Sequence, residues 1–134
     1  MSETRVAIRF GEGFSGVLEA THAKAPVGRD EGALLPYDLL LGALGTCYYA
    51  TFLDIVRKMR LDYERADIEI RGVKREEVPT TLKDVTLRMT LYGAEDSKGF
   101  ARAAELAAKY CSVYETISRV ANIERELIFA QPDS

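Results

Sequence analysis

Histidine is nearly absent from this chain, which has only His22 among its 134 residues and only two cysteines, Cys47 and Cys111. Cys111 lies 64 positions after Cys47, far from the close ligand spacing of structural zinc sites. These few side chains cannot complete a metal site, so we expect no metal and no cofactor. The same shortage argues against Ser-His-Asp and Cys-His catalysis, and we interpret His22 as an ordinary polar loop residue.

An excess of either charge is also lacking. The chain has 18 Lys and Arg against 21 Asp and Glu, a net charge of −3, and no basic block. We therefore expect no nucleic acid and no membrane as a partner. The opening residues "MSETRVAIRF" lack the apolar stretch of a secretory signal. The uncharged run from Leu39 to Leu53 is shorter than the roughly 20 residues of a membrane span. These features predict a cytoplasmic protein, whose thiols stay reduced.

The composition is that of one globular domain covering residues 1–134, because 47% hydrophobic residues at this length suffice for a core. Alternating apolar and polar residues predict strands over 4–10, 14–21, 66–76, 84–92 and 123–129. The first of these strands is predicted to be half-buried, and the fourth has Val85, Leu87, Met89 and Leu91 on one face. Helical patterns cover 36–60, 97–110 and 112–121, and residues 22–36 are predicted as a loop. The order β-β-α-β-β-α-α-β indicates an α+β fold.

The helix predicted over 36–60 is the most apolar part of the chain. It starts with Pro36, which suits a first helical turn. The negative charge of Asp38 is favourable there, because the N-terminal end of the helix dipole is positive. Its run "LLLGALGTCYYATFL" is apolar on nearly every side, which indicates burial on several faces. One small sheet cannot cover all of them, so the sequence predicts a second subunit and a two-fold homodimer.

Each cysteine has two interpretations. Cys47 is either a small core residue, as buried free cysteines often are, or half of a redox pair with Cys111. Cys111 directly precedes Ser112, which together with Glu115 matches a capping box. A thiol at such a helix N-terminus is favoured as a thiolate. Cys111 is therefore predicted to be the more acidic thiol, whereas Cys47 needs an outside cation.

Arg29, in the loop that leads into the helix, is the nearest source of that cation in sequence. Aromatic residues flank both cysteines. Core packing is the commoner use of such residues, but they would line a pocket for an apolar substrate. The candidates for that pocket are Tyr37, Tyr48, Tyr49, Phe52 and Tyr114.

Two segments, "GALLPYDLLLGALGTCYYATFLDIVRKMRLDYE" and "KYCSVYETISRVANIERELIF", resemble the OsmC/Ohr family of thiol peroxidases. The shared pattern is a Pro-led, Leu- and Ala-rich central helix containing one cysteine, with a second at the start of a helix roughly sixty residues later. The resemblance extends over essentially the whole chain. It implies an OsmC-like fold and an intertwined homodimer in which two central helices pack between sheets built from both chains.

The resemblance also implies roles for the two thiols. Cys47 would be the peroxidatic cysteine that attacks an organic hydroperoxide, and Cys111 would resolve its sulfenic acid into a disulfide. A thiol reductant, in the Ohr branch a lipoylated protein, would reduce the disulfide.

In the family an arginine and a glutamate hold the first thiol as a thiolate. Arg29 suits the OsmC-like placement of that arginine, while Arg5 or Arg9 would suit an Ohr-like one. The position of the family glutamate is occupied by Tyr37, with Asp38 beside it.

The sequence therefore predicts a thiol peroxidase with Cys47, Cys111 and Arg29 as its catalytic residues. The alternative is a non-catalytic or weakly active dimer that binds an apolar ligand or senses redox state. Tyr37 favours this alternative, whereas the retained second cysteine favours the peroxidase.

Overall fold

The computed structural model describes residues 2–132, which divide into two compact units, one up to Leu40 and one from Leu41 onward. The elements in chain order are β1 (Ala7–Phe10), β2 (Ser15–Glu19), β3 (Lys24–Gly28), α1 (Pro36–Lys58), β4 (Arg65–Lys74), β5 (Leu82–Tyr92), α2 (Ser97–Tyr110), α3 (Ser112–Ser118) and β6 (Asn122–Ala130). The α+β class is confirmed. The expectation of a single domain stays a prediction.

The first unit contains a three-stranded antiparallel sheet in the order β1-β2-β3. The loop predicted over residues 22–36 is wrong for β3, whose Pro26 and Gly28 are loop signals in the sequence. Proline is accepted at the edge of a sheet, and Pro26 pairs with Val17 of β2 on such an edge. The predicted half-burial of β1 is wrong for the single chain, in which Ile8 is 46% and Phe10 51% exposed.

The second unit contains the sheet β4-β5-β6. β4 and β5 form an antiparallel hairpin, whereas β6 runs parallel to β5 after the crossover through α2 and α3. The predicted inward face of β5 is confirmed, because all four of its residues are at most 1% exposed: Val85, Leu87, Met89 and Leu91. The inner face of α2 is also buried and includes Phe100 and Ala104.

Local signals fix both ends of α1. The helix begins at Pro36 as predicted, and the Leu35 N–H donates to the Asp38 carboxylate at 2.8 Å, which is one half of a capping box. At the other end, Arg60 has a positive φ of 59° and the Leu61 N–H donates to the Val56 carbonyl at 2.9 Å. This Schellman arrangement ends α1 two residues before the predicted boundary.

Only one stripe of α1 is buried in the single chain: Leu44, Tyr48, Phe52 and Val56. The predicted burial on several faces is therefore absent from one copy of the chain. The stripe follows a helical repeat, and at nearby Gly45 an added Cβ would lie 3.0 Å from Ile70 Cδ1 of β4. By length and composition alone α1 could span a membrane, with a mean hydropathy of 1.6, but core helices of soluble proteins meet the same criterion.

Candidate functional site

The fold brings the two cysteines together. Cys47 lies on α1 and is half-buried, while Cys111 lies between α2 and α3 and is 1% exposed. Both are free thiols, and each influences the pKa of the other. The Cys47 Sγ is also 4.0 Å from the Ser112 Oγ. Two residues that are remote in sequence thus form one thiol pair.

Cys111 itself is the N-cap of α3. Its backbone is extended, with φ −77° and ψ 117°, and its sulfur accepts the Tyr114 N–H at 3.4 Å. The capping box predicted for Ser112 and Glu115 is therefore wrong, because the N-cap lies one residue earlier. Ser112 is the first helical residue, and the Glu115 carboxylate pairs with Arg119 at 3.2 Å instead of reaching back to the cap.

The order of acidity is the reverse of the one predicted. The Val113 N–H at the start of α3 lowers the pKa of Cys47, and the Cys111 thiol and Ser112 add to this against the opposing effect of burial. Burial raises the pKa of Cys111, and it outweighs the hydrogen bond from Tyr114. The prediction that Cys111 is the more acidic thiol is wrong, because the start of α3 also provides an N–H, that of Val113, which lowers the pKa of Cys47.

Two of the predicted pocket residues belong to the core. Tyr48 is 1% exposed and Phe52 is 0% exposed, so neither offers a surface to a substrate in the single chain. The Tyr48 hydroxyl donates to the Ala104 carbonyl at 2.8 Å, and burial raises the pKa of Tyr48 to about 12. Its ring lies 6.2 Å from that of Tyr114, which is half-buried beside the thiol pair.

Tyr49 lies next to a different cleft. Its hydroxyl is 2.5 Å from that of Tyr63, and burial raises the pKa of Tyr63. Both residues line a cavity of about 260 Å³ that also includes Arg57 and Leu61 but neither cysteine. A role for Tyr49 in a substrate pocket at the thiols stays a prediction.

Arg29 lies within the first unit, directly after β3. Gly28 has a φ of 130°, and an added Cβ there would lie 2.2 Å from the Phe14 carbonyl oxygen. This close approach lets the Arg29 N–H donate to the same oxygen at 3.2 Å, and the guanidinium lies 5.8 Å from the centre of the Phe14 ring. The role of Arg29 as the activating cation stays a prediction.

The first unit also holds an apolar cleft of about 160 Å³, lined by Ile8, Phe10, Phe14, Val27, Leu34, Pro36 and Leu39. Phe14 therefore joins this cleft to the Arg29 guanidinium. The alternative arginines form exposed ion pairs, Arg5 with Glu3 and Arg9 with Glu19.

Tyr37, at the position of the family glutamate, is the second residue of α1 and is half-buried. The carboxylate of neighbouring Asp38 caps the helix. This capping role explains why an acidic residue stands beside the position of the family glutamate. It requires no role for Asp38 at the thiols.

Sequence reasoning missed two contributors to the site: the Ser112 hydroxyl and the Val113 N–H. The adjacency of Ser112 to Cys111 was a usable signal. The direction of the Val113 N–H depends on the backbone alone. Within residues 2–132, no group of His, Cys, Asp and Glu could hold a metal ion.

The comparisons with known proteins agree with this fold. A model of the family described as OsmC-like protein matches residues 28–126. Protein YhfA of Escherichia coli K12 is 30% identical over 90 residues, which are 66% of this chain and 67% of that protein.

Two solved structures share the fold over almost the whole chain. A hypothetical protein from Aquifex aeolicus has a TM-score of 0.88 at 21% identity, with 99% of this chain and 100% of that chain covered. An organic hydroperoxide resistance protein from Legionella pneumophila has a TM-score of 0.76 at 12% identity, with 96% and 98% covered.

The family model and the relative in Escherichia coli define the class of protein. The chain belongs to the OsmC-like family, which confirms the resemblance inferred from its two cysteine-bearing segments.

Proposed function

We propose that this protein is a thiol peroxidase that reduces organic hydroperoxides, with Cys47 as the attacking thiol and Cys111 as the resolving thiol. One observation carries the proposal: a half-buried Cys47 of lowered pKa lies beside a buried Cys111 that is held as a helix cap. A peroxidatic thiol must be both ionised and accessible, because the thiolate is the nucleophile. A resolving thiol must lie close to the peroxidatic thiol, so that it can attack the sulfenic acid.

The chemistry then proceeds in two steps. The Cys47 thiolate attacks the terminal peroxide oxygen, the O–O bond breaks, and the alkoxide leaves as an alcohol after taking a proton. The resulting Cys47 sulfenic acid is attacked by the Cys111 sulfur. The S–O bond breaks, water leaves with the Cys111 proton, and a Cys47–Cys111 disulfide remains. A thiol reductant reduces it, and the family resemblance suggests a lipoylated protein.

The first unit supports an organic rather than a purely polar peroxide. Its apolar cleft would accept an alkyl or aryl group, and Arg29 lies beside Phe14 of that cleft. A cation next to an apolar wall suits a substrate with one apolar end and a polar O–O bond. The family resemblance suggests Arg29 as the cation that polarises the peroxide. The name of the Legionella protein agrees with this substrate class.

We further propose a cytoplasmic homodimer as the active form. Large apolar side chains remain exposed in the single chain, among them Leu35 and Leu40 near the start of α1 and Phe10 of β1. A second copy of the chain would cover them and would explain why α1 is apolar beyond its one buried stripe.

The decisive experiment follows oxygen addition by intact-mass spectrometry after one equivalent of cumene hydroperoxide, with hydrogen peroxide for comparison. The wild type should lose two hydrogens as the disulfide forms. Cys111→Ser should gain oxygen at Cys47 and stop there, and Cys47→Ser should react slowly. Arg29→Ala should slow the first step.

Peptide mapping without reductant should place the crosslink between Cys47 and Cys111 of one chain. Oxygen on Cys111 in Cys47→Ser, at the wild-type rate, would reverse the two roles. Thiols that stay free in excess organic hydroperoxide would refute the peroxidase.

A second candidate function is binding of an apolar ligand without catalysis. It is favoured by Tyr37 at the glutamate position together with the apolar cleft of the first unit. Under this alternative, a fluorescent fatty acid would bind with equal affinity to wild type and to Cys47→Ser, and neither would consume peroxide.

A further inference from the structure

The cleft beside Tyr49 lies within the second unit, and the peroxidase chemistry makes no use of it. Its volume is about 260 Å³, and neither cysteine lines it. This volume is just below the range of pockets that hold drug-sized ligands, so the cleft suits a smaller molecule. Its polar lining residues are five: Tyr49, Arg57, Asp62, Tyr63 and Glu64.

The end of α1 and the segment that follows it form the walls of this cleft. Three residues spaced four apart on the helix line one side: Tyr49, Leu53 and Arg57. The chain reverses directly after the helix, where the Leu61 N–H donates to the Val56 carbonyl at 2.9 Å. The Glu64 N–H then donates to the Tyr92 carbonyl of β5 at 2.7 Å. These backbone bonds fix the returning segment, so the second wall is in place before any ligand arrives.

The cleft contains a hydrogen-bonded pair of phenols. The hydroxyl oxygens of Tyr49 and Tyr63 are 2.5 Å apart, and the ring of Phe52 lies 6.3 Å from the first ring and 6.2 Å from the second. Phe100 packs edge-on against Tyr63 at 5.8 Å. One hydroxyl proton is used within the pair, and no residue between 2 and 132 accepts the other. The pair therefore holds one unused donor in a fixed position.

Tyr63 remains protonated at physiological pH. Burial raises its pKa, the hydrogen bond with Tyr49 adds to the rise, and the positive charge of Arg57 opposes it. The guanidinium that exerts this opposing effect lines the same cleft as the phenol. A neutral donor and a cation thus face one cavity, and this combination binds a carboxylate through hydrogen bonds and charge together.

Charges of both signs line the cleft. Arg57, Asp62 and Glu64 are all exposed, and none of them forms an ion pair within the part of the chain that the structure describes. A ligand with only a negative charge would be repelled by the two carboxylates, and one with only a positive charge would be repelled by the guanidinium. A zwitterion pairs with both signs at once. Leu53 and Leu61 add apolar surface to the same walls.

We propose that this cleft binds a free α-amino acid with an aliphatic side chain. Arg57 and the unused phenol proton bind its carboxylate, because a guanidinium matches the planar shape of that group. Asp62 and Glu64 bind its ammonium group. The aliphatic side chain lies against Leu53 and Leu61, where it removes apolar surface from water.

The test is isothermal titration calorimetry with L-leucine as the probe, titrated into the millimolar range at slightly acidic pH. Two analogues each lack one charge: L-leucinamide lacks the carboxylate, and 4-methylpentanoate lacks the ammonium group. Each should bind the wild type at least about tenfold more weakly than leucine, because a hydrogen-bonded charge is lost. The proposal is overturned if leucine gives no binding or if either analogue binds as tightly as leucine.

Four variants locate the binding site. Arg57→Gln should weaken leucine binding about tenfold or more, and Tyr63→Phe, which keeps the ring, about three- to tenfold. Lys58→Gln removes the same charge from the next position of α1, outside the cleft, and should bind leucine as the wild type does. Equal weakening in Arg57→Gln and Lys58→Gln would show a general effect of surface charge and would refute the site. Cys47→Ser should bind leucine normally, because the cleft contains neither thiol.

The phenol pair has a purely structural alternative, in which it only ties the end of α1 to the segment before β4. That role predicts a lower melting temperature for Tyr63→Phe, with leucine bound by no variant or by all variants equally. Either binding result would overturn the proposal. A Tyr63→Phe variant that keeps its melting temperature and loses affinity for leucine would support a ligand site.

Discussion

Cys47 owes its acidity to a residue 66 positions later in the chain, because the Val113 N–H is the largest cause of its lowered pKa. A backbone donor does not titrate, so its effect persists at every working pH. The rate of peroxide attack follows the thiolate fraction, which falls as the pH drops through the pKa of Cys47. Because that pKa is lowered, attack should continue to a lower pH than for an ordinary cysteine.

Ser112→Ala tests the side-chain part of this effect. The Ser112 hydroxyl lies 4.0 Å from the Cys47 sulfur and helps to lower its pKa. Its removal should shift the pH profile of sulfenic acid formation upward, with a decrease of about two- to threefold at neutral pH. Ser118→Ala, at the other end of α3, is the matched control. A profile that shifts equally in both variants would show that the effect is not local to Cys47.

At the scale of single elements, the turn after β3 determines where Arg29 lies. Gly28→Ala should destabilise the protein by about 1–3 kcal/mol, because φ is positive and the added methyl meets the Phe14 carbonyl. It should also slow peroxide attack, since Arg29 bonds to the same carbonyl. Gly11→Ala, which has open space, should change stability by less than about 0.5 kcal/mol. Urea titration measures the free energy of unfolding of both variants, and an equal loss of stability in Gly28→Ala and Gly11→Ala would contradict the steric argument.

The elements that alternate or carry caps could be predicted from sequence. The start of α1 followed from Pro36 and Asp38, and the inward face of β5 followed from its alternation. Strand β3 could not be predicted, because it consists of a short edge pairing that overrides its loop-like composition. The parallel pairing of β5 and β6 is likewise a tertiary property that no local pattern encodes.

The candidate site divides in the same way. The pairing of Cys47 with Cys111 followed from family resemblance. Their order of acidity did not follow, because it depends on where N–H groups at the start of α3 point. The sequence predicts Tyr48 in a pocket because it cannot distinguish a buried aromatic residue from one that lines a cavity.

At the scale of the whole molecule, we expect a dimer at micromolar concentration. Light scattering during gel filtration should give a mass near twice 14.9 kDa. Leu40→Glu should weaken the dimer, because Leu40 is an exposed apolar residue of α1 and a charge there would have to be buried at the interface. Ala101→Glu adds the same charge to an exposed position of α2 and should leave the mass unchanged. A stable wild-type monomer would exclude the proposed assembly.

The two cysteines are far apart in sequence, so the proposed catalytic cycle would also change the stability of the folded chain. A disulfide between them would close a loop of roughly 65 residues, which in the chain-entropy model stabilises the folded state by about 4 kcal/mol. The oxidised protein should therefore melt several degrees above the reduced one, with Cys111→Ser as the control that shows no such gain. Each turnover would therefore alternate a less stable reduced form and a more stable oxidised form of one chain. The melting temperature would then report whether the protein had recently reacted with a peroxide.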